Sequence, residues 1–194
     1  MTRDLYIISG CNGAGKTTAS YTVLPEILRC REFVNADEIA RGLSPFNPEG
    51  MAIEAGRLML RRIDELLDMG ESFAIETTLA TRSYLKMVRR ARDKGYRVHI
   101  LFFWLHTPEL AIQRVAERVA QGGHNIPEDV IRRRYAVGIR NLFDIFMDEV
   151  DSWSIHDNSG TPRLDIACGG KAIETEIMNE DLYNKLRAYV RKRE

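Results

Sequence analysis

Gly10-Cys11-Asn12-Gly13-Ala14-Gly15-Lys16-Thr17 is the stretch that decides the fold. It fits the pattern G-x-x-x-x-G-K-[ST] at every fixed position. Glycines in such a loop let backbone amides approach an anion closely, in conformations that a Cβ would forbid. The loop amides and the start of the following helix then cradle phosphate. Gly10, Asn12, Gly13, Ala14, Gly15, Lys16, Thr17 and Thr18 form the candidate nucleotide-binding set. Lys16 would reach the β- and γ-phosphates, and the Thr17 hydroxyl would ligate Mg²⁺. The loop therefore implies a nucleoside triphosphate, ATP or GTP, without saying what is done with it.

Working outward, Leu5-Tyr6-Ile7-Ile8-Ser9 reads as a buried strand entering the loop, and 16–29 as the helix leaving it. Strands are predicted at 32–35, 72–76, 96–105, 152–156 and 164–168. Between them fall a short helical turn near 39–42 and helices over 48–69, 83–94, 107–120, 127–148 and 179–193. Thr107-Pro108-Glu109 has the order of an N-cap, a first-turn proline and a first-turn acid. Strands alternating with helical crossovers require a mostly parallel sheet covered on both faces. The expected fold is α/β: a three-layer P-loop NTPase, one domain over 1–194, with an arginine-bearing helical lid over about 107–148. Ligands of such sheets gather at the carboxyl ends of the strands. The loop at Gly10, Asp37 and Glu76 all follow strands and should share that edge.

Lys plus Arg equals Asp plus Glu, 28 against 28, so no global positive field argues for a nucleic acid or an anionic membrane as partner. The apolar run at Val98–Leu105 is too short to span a bilayer. Three cysteines without metal-like spacing, and an N-terminus that enters a strand at once, fit a reducing, cytoplasmic setting. Cys11 lies inside the loop, where either a reactive thiolate or a tolerated small side chain is conceivable.

Asp37 directly follows the second strand. It could accept the proton of an attacking hydroxyl across from the γ-phosphate, or it could cap the next helix. Glu76 ends the third strand, where a carboxylate could hold a Mg²⁺-bound water or an acceptor hydroxyl; Thr77 and Thr78 add hydroxyls. Arg114 and Arg118 share one helix face. Arg132-Arg133-Arg134 follow the break Gly122-Gly123-His124-Asn125-Ile126-Pro127. Guanidinium groups carried there would meet a transferring phosphoryl group, although a surface ion pair accounts for most single arginines. His124 reads as a loop residue and Trp153 as core. Asn158 could form part of an adenine site or a plain turn.

Taken together, these residues resemble the zeta toxin family of P-loop kinases, in its compact "predicted ABC-type ATPase" branch. The resemblance spans roughly residues 3–170: the loop at Gly10–Thr18, Phe33-Val34-Asn35-Ala36-Asp37, Ile75-Glu76-Thr77-Thr78-Leu79, and the arginine helix with Gly-Gly-His-Asn-Ile-Pro and Arg-Arg-Arg-Tyr. The ABC signature Leu-Ser-Gly-Gly-Gln is absent from the sequence. The resemblance implies phosphoryl transfer from ATP or GTP to a hydroxyl of a small molecule, a UDP-N-acetyl sugar in characterised members. It implies Asp37 as the base, Glu76 and Thr78 as acceptor ligands, and Lys16, Arg118 and Arg134 as stabilisers of phosphate charge. A basic residue that wall-precursor kinases carry after Glu-x-Thr-Leu is replaced here by Ala80, with Arg82 as the candidate to compensate. An antitoxin partner is implied in the same way. The alternative is a nucleotide-hydrolysing switch in which Asp37 and Glu76 orient water.

Overall fold

A computed structural model describes residues 2–123 and 125–191. The described strands are β1 (Arg3–Gly10), β2 (Glu32–Val34), β3 (Phe73–Thr77), β4 (Tyr96–Trp104), β5 (Ser152–Asp157), β6 (Leu164–Gly170) and β7 (Ile173–Ile177). They form one sheet in the order β2-β3-β1-β4-β5-β6-β7. The pairs from β2 through β5 are parallel, and β6 and β7 run antiparallel at the edge. β1 is central and buried on both faces at Leu5, Ile7 and Ile8, as expected of a strand flanked by parallel neighbours. The chain is thus an α/β P-loop NTPase fold. β7 is not among the expected strands, although Ile173-Glu174-Thr175-Glu176-Ile177 alternates β-branched and acidic residues; it is a short edge strand, exposed throughout.

The helices are α1 (Lys16–Thr22), α2 (Ala36–Leu43), α3 (Ala52–Met69), α4 (Tyr84–Asp93), α5 (Pro108–Ala120), α6 (Glu128–Asn141), α7 (Met147–Glu149) and α8 (Glu180–Arg191). The helix expected over 16–29 is α-helical only to Thr22 and continues as a π-turn over Val23–Ile27. Pro25 supplies the reason: it has no N–H to continue the α-helical ladder. A second π-turn, Leu142–Phe146, joins α6 to α7 and keeps the expected 127–148 rod continuous. Thr107 caps α5 by accepting from the Leu110 amide at 3.2 Å. Ser83, by contrast, makes no side-chain cap to α4. No described helix is long and apolar enough to cross a membrane.

α6 is bolted to the sheet. Tyr135 Oη accepts from Trp104 Nε1 at 2.8 Å and donates to the Leu105 carbonyl at 2.6 Å. Asn141 Nδ2 donates to the Leu79 carbonyl at 2.8 Å. Gly138 lies so close to the chain after β3 that a Cβ there would stand 2.5 Å from the Thr78 carbonyl oxygen. The segment 107–148, expected to act as a lid, is thus tied to the sheet along α6. Trp153 is buried, as expected of a core residue.

Candidate active site

The loop after β1 takes its shape from glycines without alternatives. Gly15 sits at φ 76°, and a Cβ there would collide with Asn158 Nδ2 at 2.5 Å. That amide instead donates to the Ala14 carbonyl at 2.7 Å, bracing the loop from β5. Lys16 is 6% exposed, its Nζ donating to the Cys11 carbonyl at 3.0 Å and standing 3.6 Å from Glu76 Oε1. Burial pushes the Cys11 thiol up to about 11, against the pull of Lys16. The thiol therefore stays protonated, which favours the tolerated small side chain over a reactive thiolate.

One carboxylate oxygen organises the interior. Glu76 Oε2 accepts from Thr17 Oγ1 at 2.8 Å and from Asn35 Nδ2 at 2.9 Å. The other end of the Asn35 side chain accepts from the amides of Asp37 at 2.8 Å and Glu38 at 3.4 Å. Asn35 is therefore the N-cap of α2, and Asp37 lies in its first turn. The capping alternative for Asp37 falls away. Its carboxylate is displayed on the wall of a cavity of about 530 Å³ shared with Thr17, Thr18, Tyr21, Arg118 and Arg134. Asn35 enters the sequence analysis only as part of the motif Phe33–Asp37, without a role of its own. Its signal was present: Asn before Ala-Asp-Glu is a favoured N-cap followed by first-turn acids.

The arginines separate into distinct roles. Arg114 is spent on the backbone, donating to the Asn158 carbonyl at 2.9 Å and the Ser159 carbonyl at 3.0 Å. Arg132 pairs with Glu109 across α5 and α6. Arg118 and Arg134 reach the cavity with Asp37, and Arg134 Nη1 donates to Asn12 Oδ1 at 3.3 Å. Thr78 lies in an adjoining depression with Arg133 and Arg134. It is presented by a turn in which Leu79, fully buried, is held at φ 58°, a left-handed conformation uncommon for a bulky residue. Arg82 is not among the residues lining the Asp37 cavity; it lines a depression with Ala80, Arg140 and Asp144 that adjoins that of Thr78 at Ala80 and Val137. Asn158 belongs to a loop fixed by Asp157, which accepts from the Ser159 amide and hydroxyl and contacts His106 Nε2 at 2.7 Å. His124 lies outside the described residues.

Solved structures with this fold include AvrRxo1-ORF1 in complex with AvrRxo1-ORF2 and sulphate ions, with a TM-score of 0.78 and 17% identity, covering 95% of this chain. The present chain spans 63% of that one. The same assembly with ATP superposes with a TM-score of 0.75 at 17% identity, covering 95% of this chain and 63% of that chain. The PezAT chromosomal toxin–antitoxin system of Streptococcus pneumoniae superposes with a TM-score of 0.64 and 18% identity, over 98% of this chain and 88% of that one. At these identities the likeness establishes the fold. An uncharacterized protein of Haemophilus influenzae (strain Rd) is 29% identical over 126 residues, 65% of this chain and 88% of its own length. The family model for zeta toxin matches residues 2–161, the stretch that holds the loop, Asp37, Glu76 and the arginine helices, and the chain belongs to the zeta toxin family.

Proposed function

We propose that the chain is a phosphotransferase that moves the γ-phosphate of ATP or GTP to a hydroxyl of a small-molecule acceptor. The carrying observation is a single cavity that holds Thr17 and Thr18, Asp37, and the two arginines Arg118 and Arg134. Phosphoryl transfer needs positioning and charge stabilisation above all. In this reading Lys16 and the loop amides hold the phosphates. Asp37 takes the proton of the acceptor hydroxyl as its oxygen bonds to the γ-phosphorus. The bond from that phosphorus to the bridging oxygen breaks, and the nucleoside diphosphate leaves with the negative charge. Arg118 and Arg134 face that charge, for which a planar guanidinium is suited.

Thr17 and Glu76 fit Mg²⁺, because a hydroxyl and a carboxylate oxygen 2.8 Å apart are the hard donors that ion takes. When bound, Mg²⁺ neutralises phosphate charge. Glu76 thereby reads as a residue of the phosphate side, reaching the acceptor side through Asn35. Thr78, which shares a depression with Arg134, serves as an acceptor-side hydroxyl, and Asn158 borders the nucleotide from the β5 loop in this reading. The family resemblance offers a UDP-N-acetyl sugar or another nucleotide-linked metabolite as acceptor. It also offers an antitoxin as partner, in keeping with the complexes in which AvrRxo1-ORF1 and PezAT were solved.

Calorimetric ATP binding by Lys16→Ala and Asp37→Ala tests the division of labour. The expected result is binding lost in the first and kept in the second, with transfer lost in both. Loss of binding in Asp37→Ala would place that carboxylate with the nucleotide and overturn its role as base.

A further inference from the structure

A second cavity, of about 340 Å³, opens at the opposite edge of the sheet, where Trp153 begins β5 and the β6–β7 turn passes Gly170 and Lys171. Trp153 and Asn158 are five residue steps apart along β5, about 16 Å at roughly 3.3 Å per residue. Most of its wall (Gly170, Lys171, Thr175, Tyr183 and Arg187) comes from chain beyond the matched residues 2–161.

Its chemistry is one-sided. Phe143, Trp153 and Tyr183 give it an aromatic lining. Trp153 is only 7% exposed; its indole N–H keeps access to solvent and donates to no other described residue. Trp104 differs: its N–H is enclosed and donates to Tyr135, whereas that of Trp153 is left available to a ligand. Gly169 lets the Trp153 ring lie against β6, since a Cβ there would stand 2.7 Å from the ring and 3.0 Å from Thr175 Oγ1. The Arg187 guanidinium lies 5.2 Å from the Phe143 ring centroid, and Lys171 acts on the nearby Glu149 carboxylate through space; neither cation makes a close ion pair with a described residue. Asp148 is the one carboxylate among the lining residues. Two cations and an indole donor thus line one cavity together with aromatic rings, in a volume at the small end of ligand sites.

We propose that this cavity binds a small planar organic anion, of the aromatic carboxylate class, with the ring against Trp153 and Phe143 and the carboxylate on Lys171 and Arg187. The chain has two tryptophans, so ¹⁵N-labelled protein gives two indole N–H resonances, which Trp153→Phe assigns. Benzoate is the probe, with inorganic phosphate and cyclohexanecarboxylate as comparators and saturating ATP as a further arm. The expected result is a saturable shift of the Trp153 resonance, none at Trp104, and no competition from ATP. Lys171→Ala and Arg187→Ala should each weaken binding about tenfold, the loss of one charge-assisted contact. Lys171 is an exposed turn residue, so its variant keeps the test sound if Arg187→Ala disturbs α8. A Trp153 resonance that does not saturate, affinity unchanged in Lys171→Ala, or equal binding of phosphate or cyclohexanecarboxylate would each overturn the proposal. Displacement by ATP would return the ligand to the nucleotide edge and overturn it as well.

Discussion

Asn35→Ala removes two interactions with one truncation, and their sum can be worked from the structure. The lost cap leaves the amides of Asp37 and Glu38 without their acceptor. Such a loss costs about 1 kcal/mol. The lost amide donor leaves Glu76 Oε2 with Thr17 alone of its two hydrogen-bond donors. A hydrogen bond to a charged group is worth about 1.5–3 kcal/mol, and the lower end applies because Glu76 is only partly buried and water can replace the donor. The sum is about 2.5 kcal/mol. For a chain of this size that corresponds to a fall in Tm of about 5–10 °C. Asn35→Ser keeps an oxygen for the cap and loses only the donor, so it should cost about 1.5 kcal/mol. Urea denaturation of the three proteins, with unchanged m-values, is the assay. Equal stability of Asn35→Ser and wild type would show that the link to Glu76 carries nothing. A loss below about 0.5 kcal/mol in Asn35→Ala would refute the reasoning as a whole.

Gly138→Ala gains helix propensity but drives a methyl to within 2.5 Å of a backbone oxygen that cannot swing away. A net loss of about 1–2 kcal/mol is expected, together with weaker transfer as α6 carries Arg134 outward; unchanged values in both would contradict the close approach. Burial lowers the His156 imidazole pKa, with Asp165 pulling the other way. The unfolded chain then binds more protons near pH 6.5 than the folded one, so this residue's share of stability is present at higher pH and is lost as pH falls through the unfolded value. Denaturation between pH 7.5 and 5.5 should show a slope that flattens in His156→Gln, and an unchanged slope would assign it elsewhere.

Much of this molecule is legible in its sequence because its determinants are local. The loop at Gly10–Thr17 is fixed by residue type at set spacings, and the strand–helix alternation follows apolar periodicity. What escapes depends on the third dimension. β7 pairs with β6 through its backbone while every side chain stays exposed, so its one mark is the five-residue alternation Ile173-Glu174-Thr175-Glu176-Ile177, with no core contact to weigh beside it. The π-turn after α1 needs Pro25 to be weighed against a helix that tertiary packing holds together. Arg114 and Arg118 stand one helical turn apart and read alike; the position of the β5 loop decides that Arg114 holds backbone while Arg118 meets the cavity. Thr78 shares a depression with Arg134, while Arg82, four residues on, lines an adjoining one with Arg140 and Asp144. Asp37 could not be told from a cap until Asn35 was seen to perform that task.

The central claim is tested most directly by following γ-labelled ATP with Mg²⁺ in the presence of UDP-sugars, nucleosides and small hydroxyl metabolites, with Asp37→Ala alongside. The account predicts label on one acceptor class, with transfer falling by about 10²–10⁴-fold in the variant, the scale of general-base catalysis. Label released only as inorganic phosphate, at the same rate whatever is added and undiminished in Asp37→Ala, would contradict it.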